Sequence, residues 1–272
     1  MSLKKSAFVL AVAAMPLAAQ ADLRPMDEVA MGDVTGQAGV TIELETKIDI
    51  GEVIYTDEGS LGIKDVSIGG ANRTDMFAET IANGIGPLVP ISGDLLDRMK
   101  VDIDINAGGD AIIRIWPNGT AAPVDFKVTT GAWTLSGTDG TTTLLDNLLI
   151  EGIFTEFLAT VDNSEDKLNL QMRIGIDNME FDVPFLGIGI RGMRVTGANY
   201  DVAPNVLTAN ALVNLDMYKG TRANGGDALV VDLAQFDADI IIGAIEIGGT
   251  SIGSLKFDNL SITETSMKIY GH

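Results

Sequence analysis

The side chains able to do chemistry are few, and their spacing is wrong for it. The one histidine is His272, the last residue. A terminal imidazole has no fixed neighbours, so a buried catalytic triad and a histidine zinc site both lack a candidate. Cysteine is absent, which removes thiolate zinc sites, cysteine nucleophiles and disulfides. A hydrolase would have to use carboxylates or a Ser-Lys pair, and abundance of carboxylates is not placement. Asp102-Ile-Asp104-Ile-Asn106 resembles the start of a calcium loop. Ala107 stands where that loop needs glycine, however, and Ile113 where it needs a bidentate glutamate. Ile103 and Ile105 suit a strand better. The Gly-Gly-Asp runs ending at Asp110 and Asp227 read as hairpin turns. Leu186-Gly-Ile-Gly-Ile190 lacks the strand-to-helix setting of a phosphate loop and reads as an apolar strand. Trp116 and Trp133 read as inter-strand packing. No catalytic, cofactor-binding or metal-ligating residue is expected.

Composition narrows the partners. Residues 1–21 have the form of an export signal: Lys4 and Lys5, an apolar run from Ala7 to Leu17, then Ala19-Gln-Ala21. Nothing later reaches the ~18 uninterrupted apolar residues of a membrane-spanning helix. Without Lys4 and Lys5 the 18 basic residues fall to 16 against 38 acidic ones, a net charge of −22. Such a chain repels a phosphate backbone and an anionic bilayer, so nucleic acid is not an expected partner. An outer-membrane barrel would need aromatic girdles, for which two Trp and four Tyr are few.

The strongest organising signal is a repetition. Gly131–Ile150 (GAWTLSGTDGTTTLLDNLLI) aligns without a gap on Gly243–Ile262 (GAIEIGGTSIGSLKFDNLSI) at an offset of 112. Four further blocks recur in the same order. Ile42, Leu44, Ile48, Ile50 and Val53 match Leu168, Leu170, Ile174, Ile176 and Met179. Ile63–Asn72 matches Ile190–Asn199, Val101–Ile105 matches Val213–Met217, and Gly108–Ile112 matches Gly225–Leu229, with all offsets between 112 and 127. This pattern predicts an internal duplication. Residues 22–39 precede it, 40–165 form the first repeat and 166–272 the second.

Within each repeat the apolar residues alternate at period two, as at Val101/Ile103/Ile105 and Val124/Phe126/Val128, so strands are expected. A six-residue motif interrupts the alternation at Ile63–Ile68, Leu145–Ile150, Ile176–Phe181, Ile190–Val195 and Phe257–Ile262. It predicts β-bulges, with Asp65, Asn147, Asn178, Gly192 or Asn259 in the left-handed conformation. The functional alternative is that these polar residues bind a ligand. The repeats differ in one connection: 28 residues separate Asn72 from Val101, but only 13 separate Asn199 from Val213. The longer one is apolar and reads as minor helix at about 74–100, over Thr74–Asn83 and Ser92–Lys100, with Thr74 and Ser92 as N-caps. It would act as a lid or as a partner- or lipid-binding element, through Phe77, Ile81, Ile85, Leu88 and Val89.

The segments Met26-Asp-Glu-Val29 and Val34-Thr-Gly-Gln37-Ala-Gly-Val40, with the export signal and glycine-rich strands, resemble a family of exported gammaproteobacterial proteins of unknown function. Some of its members carry a pilus-system label of the Fil type. The resemblance implies an envelope or surface protein and brings no catalytic residues with it. The expected fold is all-β: two tandem copies of a curled, mostly antiparallel sheet unit, either as sandwiches or as one elongated sheet. The expected function is a non-enzymatic cell-envelope or surface protein, structural or adhesive, partnered by envelope or pilus-system proteins. The alternative is a carrier of lipid or another apolar ligand in a sheet-lined groove. The expected location is the periplasm, the outer-membrane surface or the extracellular space.

Overall fold

The computed structural model describes residues 39–119 and 122–271. The export signal, residues 22–38 and His272 lie outside the described residues. Thirteen strands follow in order: β1 (Val40–Thr46), β2 (Ile48–Thr56), β3 (Ser60–Gly69), β4 (Leu96–Ile105), β5 (Ala111–Pro117), β6 (Val124–Thr130), β7 (Trp133–Gly137), β8 (Gly140–Asp162), β9 (Lys167–Val183), β10 (Ile188–Thr196), β11 (Ala211–Thr221), β12 (Asp227–Ile247) and β13 (Thr250–Ile269). One short helix, α1 (Ala78–Ala82), sits between β3 and β4. All the pairings among the described residues are antiparallel, and they join the thirteen strands into one sheet, so the all-β expectation holds.

The sheet forks. Strands β8, β9, β12 and β13 are long enough to run through two arms, whereas the others serve one arm each. In the first arm the neighbours are β1–β4–β5–β8–β9–β11–β12–β13. In the second they are β2–β3–β6/β7–β8–β9–β10–β12–β13. Both β10 and β11 pair with β9 on one side and β12 on the other. The first half has the same pattern: β3 and β4 stand between β2 or β1 and the strands β6/β7 or β5. Ile63 lies opposite Trp133 as Ile190 lies opposite Ile245, and Val101 lies opposite Ile115 as Val213 lies opposite Phe236.

The bends follow the sequence motif. Asp65, Asn147, Gly192 and Asn259 all have positive φ, and Asn178 does not. At Asn178 the extra residue is absorbed as a register shift against β10. Left-handed positions also recur in pairs between the halves, at Asp65 and Gly192, Asn72 and Asn199, Gly109 and Gly226, and Asn147 and Asn259. Each break resets the alternation, so apolar residues on both sides of it stay on one face.

The fork opens a gap between the arms, and residues from the β3–β4 and β10–β11 connections fill it. Met76, Phe77, Leu88, Val89, Tyr200 and Ala209 form the main buried cluster with Ile153 of β8. The Phe77 and Tyr200 rings meet edge to face, 5.8 Å apart. Two expectations for this connection need correction. Only Ala78–Ala82 is helical, and its N-cap is Phe77 in the left-handed region, with no side-chain cap from Thr74. The stretch from Leu96 to Lys100 is strand, because Met99 pairs with both Leu44 of β1 and Pro117 of β5. Two-sided pairing outweighs a local helix signal of a few tenths of a kcal/mol per residue.

Gly175 of β9 lies under this plug. A Cβ there would meet the Ala209 carbonyl oxygen and the Phe77 ring, whereas one at Gly51 would meet nothing. Gly175→Ala is therefore expected to lose about 1–3 kcal/mol of stability by overpacking. Gly51→Ala changes it by less than about 0.5 kcal/mol. Urea unfolding of both variants checks the contrast.

Candidate functional site

The pairing registers bring apolar residues into line across the sheet. One row runs Ile42, Val101, Ile115, Phe157, Met172, Val213, Phe236 and Ile262, through all eight strands of the first arm. The row beside it runs Val40, Ile103, Ile113, Ala159, Leu170, Leu215 and Leu233 before reaching Thr265. A matching row crosses the second arm: Ile48, Ile68, Val128, Ile150, Met179, Met193, Ile242 and Leu255. These residues come from period-two strands whose registers agree, so a single face is apolar from edge to edge.

This face is only half covered. Near the fork it packs on itself, where Val195, Ala211 and Ala238 are buried against Ile176, Met193, Phe236 and Ile240. Outward it opens: Ile42 is 44% exposed, Phe257 43% and Met267 51%. Two open depressions lie at its margins. One, of about 510 Å³, is lined by Tyr55, Leu61 and Leu135 at the tip of the second arm. The other, at the tip of the first arm, is lined by Leu229, Ile269 and Tyr270 with Arg222.

The opposite face is polar, and several of its charged side chains are paired with one another. Asp102 accepts hydrogen bonds from Thr41 and from the Trp116 indole, which hold its carboxyl below the usual range. It is thus a cross-strand partner. Lys100 lies over the Trp116 ring, so this tryptophan packs between strands as expected. Asp182 lies below its usual range too, chiefly through the Arg191 guanidinium and also through Asn147. Asn147 therefore serves the bulge. The Gly-Gly-Asp runs are turns, as Gly109 and Gly226 take positive φ beside the β4–β5 and β11–β12 connections. Among the described residues no group of three or more His, Asp or Glu is placed to hold a metal ion.

Behind the fork lies a polar cluster that sequence reasoning missed. Arg73 pairs with Glu151 at 2.8 Å and with Asp177 at 3.4 Å, and Lys127 reaches Glu151 from the far side. Asp177 also accepts the Phe77 amide at 2.8 Å, which fixes the residue that starts α1. Arg194 bonds Glu79 and stacks 4.8 Å from the Tyr200 ring, whose hydroxyl donates to Glu79. Burial pushes Tyr200 well above its usual value. The signal available in the sequence was an arginine within each connection or strand that borders the gap; Arg73 bonds Asp75 nearby, yet the partners that build the cluster, Glu151 for Arg73 and Glu79 for Arg194, are 78 and 115 residues away.

The five residues proposed for ligand or partner contact are divided by the fold. Phe77, Leu88 and Val89 are buried in the plug. Ile81 and Ile85 are exposed, 42% and 55%. The plug touches Gly175 and Ile153, which alternate away from the apolar rows, so these five residues do not line the apolar face.

Over residues 1–107 the chain is similar to a family described as a family of unknown function (DUF6160). That stretch ends just beyond β4. No curated protein matches the chain, and no solved structure does.

Burial raises Asp177, against the opposing pull of the Phe77 amide and Arg73; Asp125 is likewise raised by burial. A raised folded-state value means that the carboxyl's contribution to stability is complete below the unfolded value and falls as pH climbs through the folded one. Asp177→Asn keeps an acceptor for the Phe77 amide and cannot ionise. The thermal midpoint of this variant relative to the natural chain is expected to rise as pH climbs past the usual carboxylate range. A gap independent of pH would contradict the assignment.

Proposed function

We propose that this chain is a non-enzymatic exported envelope protein that holds lipid, or a similarly elongated apolar ligand, along the apolar sheet face. The observation that carries this reading is the row from Ile42 to Ile262, unbroken through eight strands, open to solvent at Ile42 and part-buried at Ile262. Contiguous exposed apolar surface beyond a few hundred Å² is uncommon unless something binds it. Each methylene that a ligand buries there contributes about 0.8 kcal/mol before the cost of ordering the ligand. An acyl chain lies flat along such a row without any polar partner. The acidic surplus disfavours anionic headgroup contacts on the polar face, which leaves the tail as the recognised part.

A second reading is a structural or adhesive component of the pilus system that the sequence resemblance implies. The unpaired sheet edges at β1, β2 and β13 favour it. The periplasm, the outer-membrane surface and the extracellular space all suit both readings, and the exposed pair Ile81 and Ile85 offers a separate contact for an envelope partner.

Native mass spectrometry of the protein purified without detergent is expected to show co-purifying lipid. Phe157→Glu, which places a charge in the middle of the row, lowers retained lipid by about tenfold, or ~1.4 kcal/mol. Thr160→Glu, on the polar face, leaves it unchanged. A cleanly folded, lipid-free natural chain would refute the carrier reading.

A further inference from the structure

Among the described residues, β1 pairs only with β4, β2 only with β3, and β13 only with β12. The sheet therefore ends in two backbone edges, and it does not close on itself. Open edges of this length carry unsatisfied N–H and C=O groups and are usually shortened, charged or covered. Here β13 runs 20 residues and β1–β2 together nearly as far. Both edges also leave their apolar side chains in water: Val40, Ile42, Ile48 and Val53 on one, Leu255, Phe257, Met267 and Ile269 on the other.

The molecule contains a pairing that shows what fits these edges. In the pattern of neighbours, β9 occupies in the second half the place that β1 and β2 occupy in the first: it pairs with β11 and β10, as they pair with β4 and β3. Likewise β13 lies beside β12 as β8 lies beside β5, β6 and β7. The seam between β8 and β9 is thus the last strand of one half laid against the first strand of the next. Phe157 faces Met172 across it. The counterparts of these two, by position in the same apolar row, are Ile262 and Ile42.

We propose that the β13 edge of one copy of this chain pairs, antiparallel, with the β1–β2 edge of a second copy, as β8 pairs with β9, with Ile262 opposite Ile42. The apolar row then continues from copy to copy. The contact is heterologous, so each added copy exposes the same two edges again and growth is open-ended unless the rotation closes a ring. At the two edges themselves, like charges do not face each other in excess. The β1–β2 edge is acidic through Glu43, Glu45, Asp49 and Glu52, whereas β13 balances Lys256 and Lys268 against Asp258 and Glu264. This pairing is independent of whether the apolar face carries lipid.

The chain lacks cysteine, so introduced thiols report on contacts without background. The full chain carrying both Ile42→Cys and Ile262→Cys, oxidised mildly and run on a non-reducing gel, is expected to give a ladder of dimers, trimers and larger species. Thr41→Cys with Ile262→Cys puts one thiol on the opposite face and is expected to stay monomeric. Either Ile42→Cys or Ile262→Cys alone is expected to stay monomeric as well. Sedimentation velocity of the natural chain is expected to show concentration-dependent growth that Ile42→Lys abolishes; Ile42 is already 44% exposed, so this variant should keep its fold. A natural chain that stays monomeric at all concentrations overturns the proposal. So does a disulfide dimer from either single variant, which would mean an edge paired with its own kind. Lipid retention by the natural chain, measured at a dilution where it sediments as a monomer, separates failure of this pairing from failure of the carrier reading.

Discussion

The backbone ladder between β8 and β9 is the bond on which the rest of the sheet hangs. It runs from Asp146 opposite Asp182 to Asp162 opposite Lys167, with only local shifts at its bulges. Both strands pass through both arms, so this ladder fixes the register of each arm at once. A slip of one residue would send Leu168, Leu170, Met172 and Ile174 to the polar face and bring Asn169, Gln171 and Arg173 among the apolar rows. The period-two pattern of β9, held from Leu168 to Ile176, is what forbids that slip.

The second constraint is the fork. An antiparallel sheet can split only if something satisfies the strand edges that part company. Here the connections do so with their own backbone: the Gly70 amide donates to the Asp94 carbonyl and the Gly197 amide to the Thr208 carbonyl, at corresponding points in the two halves. Glycine is needed there because a side chain would strike the Leu95 and Gly93 carbonyls in one case and the Asn210 carbonyl in the other. The apolar connection residues then enter the gap, and the ion pairs of Arg73 and Arg194 tie them to β8, β9 and β10. Such part-buried pairs contribute modest net stability, but their geometry specifies where the plug sits.

Much of this was legible in the chain. The period-two runs gave the strands, and the six-residue motif located bulges at Asp65, Asn147, Gly192 and Asn259 from residue type and spacing alone. The repeated blocks marked the strands that occupy corresponding places. The connection between β3 and β4 was less legible. Its apolar content suggested helices and an accessible contact surface, because local sequence cannot reveal that Phe77 faces Gly175 nearly a hundred residues later. The eight-strand rows were hidden for a similar reason: periodicity assigns a side chain to a face, but only inter-strand register assigns it to a row. The duplicated pattern also drifts. Trp133 lies opposite Leu145, while Ile245 lies opposite Gly253 and not Phe257, so β13 has slid along its neighbour without changing face.

The plug also has a bearing on motion. The most deeply buried residues lie midway along the long strands, whereas the strand tips at Tyr55, Ile105, Ile247 and Ile269 are exposed. Resistance to local unfolding follows burial and hydrogen-bond density, so solvent exchange at backbone amides is slowest at the waist and fastest at the four extremities. The two arms can therefore loosen at their ends while the waist stays shut.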